Sequence, residues 1–239
     1  MTVWGVIFAR GGSKGVPGKN LRRVAGTSLL EHSIVIAKAT PGIDRVMCST
    51  DSPEIRDAAL ICGAEAPFLR PSELAADDSP EWASWQHLVK HLSGEGASEG
   101  DFLVSLPTTA PLRSVADVEA VVLAVKTSGA DVALTVTEAS RSPWFNMVTM
   151  GSDNRVSVVI EDGGARFARR QDVPRVYDLT TVAYAARFGY IQHASHMFEG
   201  EVIAVEVPRE RSIDIDTELD LDIADYLYRK RERMGDEWQ

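Results

Sequence analysis

Two short stretches hold most of the side chains that could do chemistry. In residues 10–20, RGGSKGVPGKN, the cations Arg10, Lys14 and Lys19 are interleaved with Gly11, Gly12, Gly15 and Gly18. Glycines let a backbone approach a ligand closely and turn its N–H groups inward, and the cations add positive charge beside them. A triphosphate carries the matching charge. An exposed turn with solvated cations is the plainer reading; the position directly after a first strand favours a ligand, because α/β sheets bind beyond their strand C-termini. The second stretch is SIDIDTELDL, in which Asp214 and Asp216 alternate on an extended segment and so point to one face. Two carboxylates on one face can hold Mg²⁺ together with phosphate oxygens. Alone, they read equally as solvated acids ahead of a helix capped by Thr217.

Three familiar motifs compete for the first stretch. Gly11-Gly12-Ser13-Lys14-Gly15 matches the G-x-S-x-G of serine hydrolases, and His193 and His196 follow later. That motif needs a strand-turn-helix elbow; here Arg10 and Lys14 flank the serine and Pro17 stands where the helix should run. The dinucleotide fingerprint needs glycines in a one-three-six register that GGSKGVPG lacks. The NTPase loop needs Gly-Lys followed by Ser or Thr, and Gly18-Lys19 is followed by Asn20.

The elements that would position these residues follow from hydrophobic patterning. Residues 3–9 form a continuous apolar run, as in a central parallel strand. Helices are expected over 28–39, 53–61, 82–92 and 115–126, and strands over 45–50, 101–107 and 131–139. This alternation predicts an α/β fold, a three-layer Rossmann-like domain with a mostly parallel sheet. The texture changes to short alternating stretches after Ser142, so the single domain 1–239 is expected to carry 142–175 as an arm. Closing strands are expected at 181–186 and 202–208, then a helix over 217–234, acidic at its start and basic at its end as the helix dipole prefers.

Composition narrows the class. The chain has 239 residues, 44% of them hydrophobic, and a net charge of −10. Such acidity argues against a nucleic-acid groove. No apolar run reaches membrane-spanning length, so no membrane partner is expected. The N-terminus has no leader pattern, and Cys48 and Cys62 read as buried thiols of a reducing compartment, so a cytoplasmic location is expected. His87 and His91 stand at i and i+4, a spacing open to zinc, but no third ligand accompanies them.

In order along the chain, ARGGSKGVPGKN, STDSPEI, LRPSELAADDS, LPTTAPLR, RRQDVPRVY and SIDIDTELDLDIAD together resemble the acylneuraminate cytidylyltransferases, or CMP-sialic acid synthetases, which are related to the CMP-KDO synthetases. The resemblance implies a nucleotidyltransferase domain with a dimerisation arm, CTP as substrate, Mg²⁺ as cofactor and a homodimer. The reaction would join CMP to an anionic sugar acid and release pyrophosphate. Arg10, Gly11, Gly12, Ser13, Lys14 and Lys19 would hold the triphosphate, with Asn20, Arg70 and Ser79 toward the nucleoside. Asp214 and Asp216 would bind the metal, and Arg10, Lys19 and Asp216 would carry catalysis by stabilising charge. The acceptor side would be formed by Leu106, Thr108, Phe145, Arg170, Gln171, Tyr177 and Thr180, with Arg170 and Gln171 in the arm.

Departures from the family pattern cluster on that acceptor side. Leu106 stands where sialic-acid members carry Gln, Asp178-Leu179-Thr180-Thr181 replaces R-P-N-G, and Phe145 stands at a place that can hold Lys. The expected acceptor is therefore a nonulosonic acid, with a KDO-like acid or a phosphonate as alternatives. Trp144, Phe145 and Tyr177 suit either sugar stacking or arm packing. A metal-dependent D-x-D glycosyltransferase is the alternative from another class; its D-x-D usually follows a mid-domain strand.

Overall fold

The structure, a computed structural model, describes residues 1–13, 15–76, 78–161, 167, 169 and 172–235. It begins with β1 (Val3–Phe8), whose side chains are buried almost throughout. A two-residue hairpin, β2 (Arg23–Val24) and β3 (Thr27–Ser28), leads into α1 (Leu29–Ala39). Then come β4 (Arg45–Ser49), α2 (Pro53–Ile61), α3 (Glu81–Gly94), β5 (Phe102–Ser105), α4 (Val115–Thr127) and β6 (Val132–Glu138). The expected arm carries the hairpin β7 (Val148–Met150) and β8 (Val156–Val158). The chain closes with β9 (Tyr177–Arg187), α5 (Phe188–His193), β10 (Val202–Glu206) and α6 (Glu218–Met234).

The main sheet has the order β10-β6-β9-β5-β1-β4. All neighbours run parallel except β9, which pairs antiparallel with both β5 and β6. One face packs on α1, α2 and α4 through Leu30, Ile34, Ile55, Val118, Val121 and Val125. The other packs on α3 and α5 through Trp82, Trp85, Leu88, Phe188 and Ile191. Strand parity separates the two cores: in β1, Val3 and Ile7 serve the first while Trp4 and Val6 serve the second.

Local signals explain the helix starts. Ser28, Ser52, Ser114 and Thr217 each accept a backbone N–H of the first turn, and Asp117 and Asp220 complete capping boxes for α4 and α6. The expected helices appear within a residue or two of their predicted bounds. Three features lay outside the expectation. The β2–β3 hairpin and α5 are too short to set up a period, and β9 begins four residues before the expected closing strand.

The chain leaves β1 to one side for β4, then returns to the other side for β5. That reversal opens a crevice beyond the C-terminal ends of β1 and β5, where open α/β sheets bind ligands.

Candidate active site

An open cleft of about 410 Å³ occupies this crevice. Its walls include Arg10, Gly12, Ser13, Lys19, Asn20, Arg70, Ser79, Thr108, Asp214 and Asp216. Ten residues expected at a site, spread from position 10 to position 216, therefore meet around one space.

The glycine-rich loop is fixed at several points. Gly11 donates its N–H to Asp51 Oδ1 at 2.9 Å, which ties the loop to the end of β4. Val16 is fully buried against Val24, Leu29, Ile215, Leu221 and Ala224. Gly18, at φ 63°, turns the chain into a 3-10 turn over Lys19–Leu21. Asn20 is buried; its Nδ2 donates to the Arg10 carbonyl at 2.7 Å, and its Oδ1 accepts from the Thr108 hydroxyl. It thus binds the loop to the segment after β5. Arg10 reaches across the cleft to the Ala75 carbonyl at 3.4 Å.

The acidic segment is docked onto this loop. Ile215 is fully buried while Asp214 and Asp216 on either side are exposed, so both carboxylates leave the core in one direction. The Ile215 N–H donates to the Thr109 carbonyl at 2.9 Å. Lys19 Nζ donates to the Ile215 carbonyl and meets Asp216 Oδ1 at 3.1 Å. A Cβ added at Gly15 would collide with the Asp216 carbonyl oxygen, so the loop and the acidic segment touch backbone to backbone there. Upstream, Arg211 makes a two-pronged bond to Asp117 of α4, both contacts 2.8 Å.

The pair Asp214 and Asp216 fits Mg²⁺. That ion is commonly held by one or two carboxylates, substrate phosphates and water, without a protein cage. Among the described residues no group of three or more His, Cys, Asp or Glu side chains could form such a cage. His87 and His91 instead pack edge-on against Phe68, with ring centroids 5.4 and 4.4 Å away.

Arg113 lies fully buried behind the cleft. It donates to the carbonyls of Pro107 and Thr181 and to Ser33 Oγ, bracing two cleft-lining segments. Burial lowers its pKa to about 9, against the opposing pull of Asp117. It remains charged at neutral pH.

A further wall comes from the region after β4 and the start of α3. Arg70 is buried and donates from Nη1 to Ser84 Oγ at 3.1 Å, while its buried Nε has no hydrogen-bond partner among the described residues. Burial lowers its pKa, chiefly opposed by Asp51. A buried donor without an acceptor is costly, so this nitrogen suits an oxygen or ring nitrogen of a ligand. Phe8, stacked on Trp85 with centroids 6.1 Å apart, also lines the cleft. Glu81, the first residue of α3, accepts from Trp85 Nε1 at 3.1 Å and from Ser105 Oγ at 3.5 Å. Solvent in the open cleft reaches this carboxyl, yet the surrounding protein raises its pKa by desolvation.

Other expected positions lie elsewhere. Gly11 gives its N–H to Asp51 and does not line the cleft. Leu106 is fully buried in the core shared with α4, because strand alternation turns it inward. Thr180 is buried, with its hydroxyl 2.7 Å from Thr135 Oγ1; its neighbour Thr181 faces the cleft instead. Tyr177 pairs with Glu138 at the far end of β9, and Phe145 is exposed before β7; neither lines the cleft. Lys14, Arg170 and Gln171 lie outside the described residues. Sequence reasoning missed Phe8, Glu81, Ser84, Thr109 and Thr181. Glu81 reads in sequence as an ordinary acidic residue in a helix's first turn, and only the fold turns it into the cleft.

Known proteins resemble this chain along nearly its whole length. CMP:2-keto-3-deoxy-manno-octonic acid synthetase, solved in complex with CTP, superposes with a TM-score of 0.69 over 97% of this chain and 100% of that one, at 20% identity. Post-translational flagellin modification protein B of Campylobacter coli is 29% identical, with 94% of each chain covered. CMP-N,N'-diacetyllegionaminic acid synthase of Campylobacter jejuni is 28% identical, with 92% of each covered. Over residues 4–231 the sequence matches the cytidylyltransferase pattern, and the chain belongs to that family.

Proposed function

We propose that this cytidylyltransferase transfers CMP from CTP to a hydroxyl of a nonulosonic sugar acid and releases pyrophosphate, with Mg²⁺ as cofactor. One observation carries the reading: a glycine-rich cationic loop and a pair of carboxylates face one cleft at the sheet's switch point. A relative named for CMP-N,N'-diacetyllegionaminic acid supports the acceptor class. The protein needs no nucleophile of its own, because the acceptor oxygen attacks the α-phosphorus. It must position the partners and neutralise charge on the phosphates.

Arg10, Lys19 and the N–H groups around Gly12 and Ser13 stabilise the leaving pyrophosphate. Asp214 and Asp216 hold the metal, which when bound supplies Lewis-acid polarisation of a phosphate oxygen. Arg70 orients the nucleoside through its unused Nε. Lys19 also offsets the charge of Asp216 through their ion pair.

A homodimer formed through the arm is part of this reading. Met147, Val148, Met150, Val156, Val159 and Ile160 are all exposed there, an apolar surface that a partner would cover. No helix among the described residues is long and apolar enough to cross a membrane.

The test is pyrophosphate release from CTP and Mg²⁺ with purified protein, against legionaminic, pseudaminic and sialic acids, KDO and phosphonates. Release with a nonulosonic acid well above the others is expected. Release only with KDO or a phosphonate would replace the acceptor class, and no release with any acid would sink the reading.

A further inference from the structure

The reaction liberates a proton from the attacking hydroxyl. We infer that Glu81 takes it, acting as the general base for the acceptor. This rests on the CMP transfer proposed above.

Three observations lead there. First, the carboxyl has one occupied and one open oxygen. Oε1 accepts from both Trp85 Nε1 and Ser105 Oγ, while Oε2 takes no hydrogen bond from the described residues. A carboxyl held by one oxygen in a cleft presents the other to a substrate hydroxyl.

Second, Glu81 stands on the right wall. The pyrophosphate is drawn toward Arg10, Ser13 and Lys19, on the loop after β1, and Lys19 reaches the segment before α6. In-line displacement brings the nucleophile from the side opposite the leaving group. Glu81 enters the cleft from α3, a different element from the loop that carries these cations, and is fixed to Ser105 at the end of β5.

Third, the other carboxylates of the cleft are engaged. Asp216 is paired with Lys19, and Asp214 and Asp216 are the pair proposed above to hold Mg²⁺. Glu81 is the remaining carboxyl among the described cleft residues.

Desolvation raises the Glu81 pKa, opposed by the bond from Trp85, the charge of Arg70 and the bond from Ser105. Arg70 after β4 and Tyr184 of β9 are the titratable groups that face it from neighbouring elements. A base whose pKa is raised holds a transferred proton better than an ordinary carboxylate. The bond changes balance. The acceptor O–H breaks and its proton passes to Oε2. The oxygen forms a bond to the α-phosphorus. The α–β bridging bond breaks, and pyrophosphate leaves with the electron pair.

The experiment is Glu81→Gln. Its amide oxygen can still accept from Trp85, so the fold is retained, as near-ultraviolet circular dichroism would show. With the best acceptor, kcat is expected to fall by about 100-fold to 1,000-fold. The acidic limb of the kcat/KM–pH profile should vanish, while CTP affinity stays within about threefold. A variant that keeps the acidic limb overturns the inference; a merely structural role would lower stability and leave that limb in place. If the wild-type protein turns over no acid at all, the acceptor reading fails and a second measurement decides the base. In the CTP complex, carbon-13 NMR titration should show a Glu81 carboxyl pKa above the usual range. An ordinary value there would overturn the inference without any turnover.

Discussion

Gly15 offers the sharpest test of how the loop is held. The constraint is contact: a Cβ there would stand well inside van der Waals distance of the Asp216 carbonyl oxygen. In Gly15→Ala the loop and the acidic segment must separate by roughly 1 Å to reach an ordinary contact, and a displacement of that size at a reacting centre can cost about 100-fold in rate. That corresponds to about 2.7 kcal/mol of transition-state stabilisation. The separation also loosens the Lys19 bonds to Ile215 and Asp216 and the packing of Val16 on Ile215. Overpacking of this kind destabilises by about 1–3 kcal/mol, which in a domain of this size lowers Tm by roughly 2–12 °C.

The assays are pyrophosphate release, calorimetric titration with CTP and Mg²⁺, and thermal unfolding. Gly12→Ala is the matched contrast. A Cβ at Gly12 meets nothing within 4 Å, yet the residue lines the cleft. Its stability should change by less than about 0.5 kcal/mol while CTP affinity falls, because the methyl takes space meant for phosphate. The docking argument is refuted if Gly15→Ala keeps kcat/KM within about threefold of wild type and its Tm is unchanged.

Four further outcomes are expected. Arg211→Ala leaves the buried Asp117 with its Ser114 bonds only; about 2 kcal/mol should be lost in urea unfolding, less than for a fully buried pair because Arg211 is partly exposed. Unchanged stability would mean the pair does not fix the acidic segment. Asp214→Asn should raise the Mg²⁺ concentration for half-maximal rate by about tenfold or more, and an unchanged Mg²⁺ requirement would remove Asp214 from the metal pair. Because the folded protein holds a proton on Glu81 above the pH where the unfolded chain releases it, stability should decline as pH rises through the folded pKa. Glu81→Gln should flatten that decline, and an unaltered pH–stability curve would count against it. Val148→Glu with Met150→Glu should give a monomer in sedimentation; a dimer that persists would mean the arm is not the interface.

The fold was legible because its signals are local and redundant. Continuous apolar strands, serine and threonine caps and helical periods all pointed to one alternation, and the sheet followed. The β2–β3 hairpin and α5 were not, since two or six residues carry no period. The nucleotide side of the site was legible for a related reason. Arg10, Gly12 and Lys19 sit within one loop whose composition marked them, the family resemblance added Ser13 and Asn20, and Asp214 and Asp216 announced their common face by alternating around Ile215.

The acceptor side depends on strand parity and tertiary pairing, which composition does not encode. Leu106 and Ser105 are adjacent at the end of β5, and a choice of one or the other decides which faces the core. The fold buries Leu106 with α4 and turns Ser105 toward Glu81. In β9 the pairing with β6 shifts register between Leu134 and Val136. Within that irregularity, Thr180 bonds inward to Thr135 and Thr181 faces the cleft, so a one-residue difference moves a side chain from one face to the other. Glu81 shows the same limit from the other direction. Its sequence context is an unremarked helix start, yet Trp85 and Ser105 hold it against the cleft with one oxygen open. Where chemistry is built from contiguous residues, sequence announces it; where it is assembled by register, only the folded pairing does. The acceptor chemistry proposed for this enzyme is of the second kind.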